Sequence, residues 1–397
     1  MNLETDTQPR PDSSLPRRVL ILSAEMGEGH NAAAQAITET INEVWPGCEI
    51  DRLDTIELRG RRFARWARWA YGAQLTLVPW SYQVFYDALG RYDWFTRLAK
   101  AAVMKLFGRR LEAVAARRHD DLVISTYPFG SAALDWLRSH RGMTTPTVTY
   151  VPAFHVHPLW TYPGVDMHFV MYDTAAADAR TAGIEEGLRL GAPPVRRGFG
   201  DFSKAEARER LGVSQQDFVV LISGGAWGLG HIDRGVEALL GVEPPVHVLA
   251  VCGKNTGLMA ELEATRAGAP GRLTVFGYVD NMPELMAAAD VVVTNGAGVT
   301  VLEALKTPRP VIAFSPLVGH GRAATAEMVR RDLALVADDA TGLAHQVRRL
   351  VTDDTLLKRM ERAGQDWVTG RHLRDSVAEM AELVRTRQSR ATSATAR

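Results

Sequence analysis

A chain of 397 residues, 46% of them apolar and 23% charged, holds material for two ordinary cores and is too apolar to be disordered. Its 46 basic and 46 acidic side chains cancel, which excludes an overall pull toward nucleic acid; anions must be met by local patches. Cys48 and Cys252 stand far apart without paired spacing, which fits a reducing compartment and argues against a zinc site.

Residues 1–16 are polar and proline-bearing, and predict a disordered tail rather than a signal peptide. The stretches 69–86 and 142–165 carry no charge, but polar residues in the first and four prolines in the second deny a continuous apolar span. The expected location is therefore cytoplasmic, with or without attachment to the cytoplasmic face of a membrane.

Short apolar runs predict strands at 18–23, 48–53, 121–125, 147–151 and 167–171, and again at 217–222, 246–251, 273–276, 290–294 and 310–314. None alternates strictly, as expected of parallel strands buried on both faces, and helical patterns lie between them. Two doubly wound α/β domains follow. The stretch 191–202 (GAPPVRRGFGDF) separates them, giving domains at 17–195 and 196–365. A last helix at 366–388 is expected to pack back on the first domain, ahead of a disordered tail at 389–397.

Ligands of such sheets bind beyond the carboxyl ends of the strands. Four loops stand there: Ala24 to His30, Ser223 to Gly230, Thr294 to Thr300, and Val318 to Gly321. In each, small residues let backbone N–H groups approach an anion while a helix end adds partial positive charge. Gly27, Gly29 and Ala32 also fit G-x-G-x-x-A, with Asp51 about twenty residues on, so an NAD(P) enzyme is one reading. Against it, Ala24, Glu25 and Met26 lengthen the turn after the strand. Glu303, one turn into its helix, suits the vicinal hydroxyls of a ribose. It equally completes a capping box with Thr300.

Residues 59–110 hold eleven Arg and Lys against two acidic residues, and twelve of the thirty aromatics. On a helix, Phe63, Trp66, Ala70, Ala73 and Leu77 share one side while Arg61, Arg65 and Arg68 follow another. With Trp69 and Trp80 nearby, the segment suits an anionic membrane surface: rings at headgroup depth, cations toward lipid.

The run Met26-Gly27-Glu28-Gly29-His30-Asn31-Ala32-Ala33-Ala34 resembles the opening signature of monogalactosyldiacylglycerol synthases and processive diacylglycerol glycosyltransferases, relatives of the N-acetylglucosaminyltransferase that forms lipid II. Phe154 to Trp160 with Val165-Asp166 resembles their second signature, and Val251 to Asn255 their third. Phe276 to Val279, Met286 to Asp290 and Thr294 to Leu305 resemble their donor domain. The resemblance implies the GT-B fold, two Rossmann-like domains facing across a cleft, and an inverting transfer from a UDP-sugar to a lipid acceptor such as diacylglycerol. It implies no metal; no cofactor is expected, and with the charge balance above no nucleic-acid partner. Other readings are a glycosyltransferase for a soluble natural product and a non-catalytic nucleotide-sugar or lipid binder.

By position, the resemblance puts Gly277 and Tyr278 at the uracil and Glu303 at the ribose. Ser223, Gly224, Gly225, Ala226, Gly298, Val299 and Thr300 would meet the diphosphate, with Lys254 and Asn255 beside it and His320 and Gly321 at the sugar. His30 would be the catalytic base near the acceptor, with Gly27 and Gly29 around it. His155 would orient the acceptor. The family's Thr-Asp before the second signature is Pro152-Ala153 here, so His157 is the candidate to take over from the missing carboxylate.

Overall fold

The computed structural model describes residues 15–296 and 298–395. Nearly all of the expected N-terminal tail, residues 1–14, lies outside them, as does Ala297. The first sheet contains β1 (Arg18–Ser23), β2 (Glu49–Asp54), β3 (Leu122–Ser125), β4 (Thr147–Tyr150), β5 (Met167–Val170) and β6 (Leu188–Leu190), in the order β2-β1-β3-β4-β5-β6. The second contains β7 (Phe218–Ser223), β8 (Val246–Val251), β9 (Leu273–Phe276), β10 (Val291–Thr294), β11 (Val311–Phe314) and β12 (Ala334–Ala337), in the order β12-β11-β10-β7-β8-β9. Both sheets are parallel throughout.

Most of the apolar runs become strands because they are covered on both faces; β2, at the edge of the first sheet, is instead largely exposed. Val19, Leu20, Ile21 and Leu22 of β1 are all buried, as are Val219 to Ile222 of β7. The sequence reading lacks β6 and β12. Both are edge strands, and Leu188–Leu190 offers only LRL, half-exposed, where no run of apolar residues is required. The strand order reverses between β1 and β3 and between β7 and β10, so each sheet opens a crevice at that point. The four glycine loops all leave the carboxyl ends of strands at or beside these switch points.

Helix α1 (Gly29–Val44) follows β1, and α2 (Arg61–Leu77), α3 (Pro79–Arg91) and α4 (Asp93–Ala115) lie between β2 and β3; α5 (Pro128–Arg141) follows β3. The broken helical run 61–115 is anchored by α4 against α5. Gly108 makes that approach possible: a Cβ there would stand inside the ring of Trp136. Gly108→Ala is expected to destabilise the fold by roughly 1–3 kcal/mol through overpacking, read as a lowered urea midpoint.

The C-terminal helix Leu373–Thr395 lies against α1 and the first sheet. Ser376 Oγ is 3.2 Å from Tyr150 Oη, Arg189 meets Glu379 at 3.0 Å, and Arg387 pairs with Asp166. The tail expected from 389 onward is helical as far as Thr395, because the helix simply continues through residues of adequate propensity (Arg, Ala, Ser, Thr) without a Gly or Pro to end it.

Candidate active site

One cavity of about 810 Å³ runs between the two sheets and into the 61–115 helices. From the first domain it is lined by Gly27, Gly29, His30, Pro152, Ala153, His155 and His157. From the second it is lined by Ser223, Gly224, Gly225, Ala226, Tyr278, Gly298, Val299, Thr300 and Glu303. Residues from 27 to 303 thus meet at one place, and three of the four candidate loops line it; the lining ends at Leu317, just short of the fourth.

Two helix N-termini converge in it. Helix α1 starts at Gly29 and the helix Val299–Lys306 starts after Gly298; neither has a side-chain cap. A Cβ on Gly29 would sit 3.9 Å from the backbone nitrogen of Val299. Orphan N–H groups and two positive dipole ends therefore face one gap, an anion site made by backbone. The capping-box alternative for Glu303 is excluded by this geometry, since the N-cap is Gly298 and Thr300 lies inside the helix.

Glu303 points instead into the cavity, buried, with Arg196 Nη2 3.3 Å from its Oε1. Burial pushes its carboxyl up to about 7, with the Arg196 guanidinium pulling the other way. Arg196 comes from the inter-domain stretch and is absent from the sequence-derived site. Its only signal was a pair of arginines in a linker. The adjacent Arg197 bonds Glu39 and Glu43 of α1, so the linker ties the helix carrying His30 to the helix carrying Glu303.

His30 is held by its surroundings. Its Nδ1 lies 2.7 Å from the carbonyl oxygen of Thr126, which can only accept, so Nδ1 carries the proton and Nε2 is the basic atom. Tyr127 meets the ring edge-on at 5.0 Å and Trp160 lies at 5.8 Å. Ser23 Oγ to Asn31 Oδ1, 2.8 Å, and Thr126 Oγ1 to His30 O, 3.1 Å, pin the helix start to β1 and β3. A backbone carbonyl thus orients the imidazole where a carboxylate would be expected. Thr126 was invisible in the sequence because any residue supplies a carbonyl.

His157 differs. Its Nδ1 accepts the Leu159 N–H at 3.2 Å, so in the neutral ring Nε2 carries the hydrogen and donates. In that tautomer His157 can orient an oxygen through Nε2–H while its basic Nδ1 is engaged by Leu159, so this geometry lends no support to the expectation that His157 takes over from the missing carboxylate. His155 Nδ1 is 3.1 Å from Asp178 Oδ2 and its ring faces Tyr86 at the cavity wall.

Four expected donor contacts fall elsewhere. Lys254 sits outside the cavity wall, bonding Glu28 at 3.0 Å and Glu25 at 3.4 Å across the domains and lying 5.2 Å above the Tyr278 ring. Asn255 caps the helix Thr256–Ala267 by accepting from Leu258 N–H, and donates to Gly228 O. Gly277 packs beneath Met259 rather than lining the cavity. Gly321 lies buried under Leu317. The His320 side chain is outside the described residues; its backbone opens the helix His320–Arg330.

That opening is clasped from the first domain. Gly319 (φ +73°) donates its N–H to Gln83 Oε1 at 2.7 Å, and Tyr82 and Tyr86 lie where a side chain would project. Only glycine takes this backbone without strain.

The 61–115 helices split their faces differently from the expectation. Phe63, Ala67, Tyr71 and Gln74 of α2 turn into the cavity, whereas Trp66 and Trp69 face outward, Trp69 at 70% exposure and Leu77 at 78%. Phe63 touches Trp66 but belongs to the other face. Arg65 is exposed, as the membrane reading needs. Arg68 is not: it is half-buried and turned onto Asp54 at 2.7 Å, Glu25 at 3.4 Å and Glu57 at 3.5 Å, because three carboxylates attract its guanidinium toward the protein.

Residues 30–187 match the family Monogalactosyldiacylglycerol (MGDG) synthase, and residues 229–353 match Glycosyl transferases group 1. The chain is a glycosyltransferase of the GT-B fold. Among its relatives is a processive diacylglycerol beta-glucosyltransferase of Bacillus licheniformis, 25% identical over 354 residues, covering 87% of this chain and 90% of the relative. The Bacillus thuringiensis protein of the same name is 27% identical over 360 residues, covering 87% and 88%. The fold of the enzyme is shared with Acinetobacter baumannii MurG (TM-score 0.57, 14% identity, 94% and 100% covered). It is also shared with Anabaena Alr3699/HepE, solved with UDP-glucose (TM-score 0.54, 16% identity, 93% and 99% covered).

Proposed function

We propose that the enzyme transfers a sugar from a UDP-sugar to the hydroxyl of a diacylglycerol-type lipid, with inversion and without a metal or cofactor. One observation carries this reading. A single cavity joins a backbone anion site and a buried ribose-type carboxylate on one side to His30 and an apolar chamber on the other. The names of the two Bacillus relatives support diacylglycerol as the acceptor class.

In this reading Glu303 accepts hydrogen bonds from the ribose hydroxyls, and the 223–226 loop and the helix start at Val299 hold the diphosphate. The acceptor oxygen attacks the anomeric carbon from the face opposite UDP. Its proton passes to His30 Nε2 as the bond to the β-phosphate oxygen breaks. The charge that grows on the departing phosphate falls on N–H groups already aimed at it, which lowers the barrier without a metal.

Access to such an acceptor requires a membrane contact. Among the described residues no helix is long and apolar enough to cross a bilayer. The outward faces of α2, α3 and α4 carry Trp66, Trp69, Leu77, Trp80, Trp94 and Leu98, each more than half exposed. With Arg65 among them, these suit the anionic surface on the cytoplasmic side. Flotation on phosphatidylglycerol vesicles at low salt is expected to carry the enzyme upward, and the Trp66→Ser, Trp69→Ser, Trp80→Ser variant to bind at least about tenfold more weakly. Equal flotation of both would remove the membrane role from this face.

The deciding experiment offers UDP-glucose, UDP-galactose and UDP-N-acetylglucosamine with diacylglycerol in vesicles. A glycosylated diacylglycerol is expected. Transfer only to soluble alcohols would place the acceptor outside the lipids, and no transfer at all would end the reading.

A further inference from the structure

Beyond His30 the cavity continues where no nucleotide group is needed. It runs between α2, α3 and α4, walled by Phe63, Ala67, Val103, Leu106, Phe107 and Phe129. The described residues of this part include no charged side chain; its polar groups are the hydroxyls of Tyr71, Tyr82 and Tyr127 and the amide of Gln74. Protein interiors close to near-crystalline density, so an apolar space of this kind is unusual, and it suits a ligand of matching apolar chemistry.

The far wall reaches the surface. Phe85 lines the cavity and is also 38% exposed. Beside it on α3 and α4 stand Val84, Trp94 and Leu98, all exposed, with Phe95 packed between Phe85 and Trp94 at 5.8 Å from each. The interior apolar surface is thus continuous with the aromatic rim that faces outward. At the other end, Tyr127 stands edge-on to His30.

We propose that the chamber between α2, α3 and α4 holds an acyl chain of the lipid acceptor, which enters beside Phe85 and presents its hydroxyl to His30. The inference rests on the lipid-acceptor reading above and adds where the hydrocarbon goes. The chain is drawn out of the bilayer into protein, so the length that fits is set by these walls rather than by the membrane.

Plugging the chamber tests it. Ala67→Phe fills it from α2 and, independently, Val103→Trp fills it from α4. Each variant is assayed with the UDP-sugar that the unmodified enzyme turns over, against dioleoylglycerol and dihexanoylglycerol in the same detergent micelles. UDP affinity by calorimetry checks that each variant is folded. The ratio of long-chain to short-chain transfer is expected to fall at least tenfold in both variants. An unchanged ratio in the folded variants, whether activity is kept or lost equally on the two acceptors, overturns the chamber as the chain site. If the unmodified enzyme glycosylates soluble alcohols but neither diacylglycerol, the lipid reading itself fails, and this inference with it.

Discussion

His30→Ala is expected to lower glycosyl transfer by about 10²–10⁴-fold, the usual contribution of a positioned general base, while UDP binds as it does to the unmodified enzyme. The separation of the two readouts matters. His30 sits on the second residue of α1, and the anion site is built from backbone of that helix and of the helix Val299–Lys306, so truncating the imidazole leaves the phosphate donors in place. Its Nδ1–H is committed to the Thr126 carbonyl, which fixes Nε2 as the proton acceptor. His157→Ala should cost less, and mainly in acceptor KM, since its Nδ1 accepts from Leu159 and its other nitrogen donates. Near-normal turnover of His30→Ala, measured with saturating UDP-sugar, would remove it from the reaction.

Donor affinity is expected to fall as pH drops through about 7, the value to which burial lifts the Glu303 carboxyl. The sign follows from the bonds. Ribose hydroxyls donate, so the carboxylate must be ionised to accept both. Below its titration point, binding must first expel a proton, and affinity declines toward a tenfold loss per pH unit. Glu303→Gln should flatten this profile. At pH 8 it should weaken UDP binding by about 1.5–3 kcal/mol, the worth of hydrogen bonds to a charged group. Removing the guanidinium 3.3 Å away, by Arg196→Ala, should move the fall-off to higher pH, and Arg196→Lys should partly restore it.

The same group shapes stability without ligand. A carboxyl whose folded-state proton affinity exceeds that of the unfolded chain stabilises the fold fully below the ordinary carboxylate range. That contribution is lost as pH rises through about 7. Thermal melts of the unliganded enzyme at pH 6 and pH 8 should therefore show a decline toward pH 8 that Glu303→Gln diminishes. A flat UDP-binding profile in the unmodified enzyme would take Glu303 away from the ribose.

What the amino-acid order determined by itself is the architecture and the address of the site. Runs such as RVLILS and DFVVLI bury on both faces and can only be interior parallel strands. Glycines at their carboxyl ends then mark loops that the doubly wound topology must gather into one crevice. Those are local and topological constraints, written in contiguous residues. What only the tertiary structure decided are the facts that depend on distance between remote segments. Phe63 and Trp66 look alike on a helical wheel, yet packing of α4 on α5 sends one into the cavity and leaves the other outside. Arg68 reads as a surface cation until Asp54, Glu25 and Glu57 close on it. Lys254 reads as a phosphate ligand until Glu28 arrives from the other domain. In each case the side chain's chemistry was legible, but its partner lay tens to hundreds of residues away. Charge and burial are settled by whichever neighbour is nearest in space.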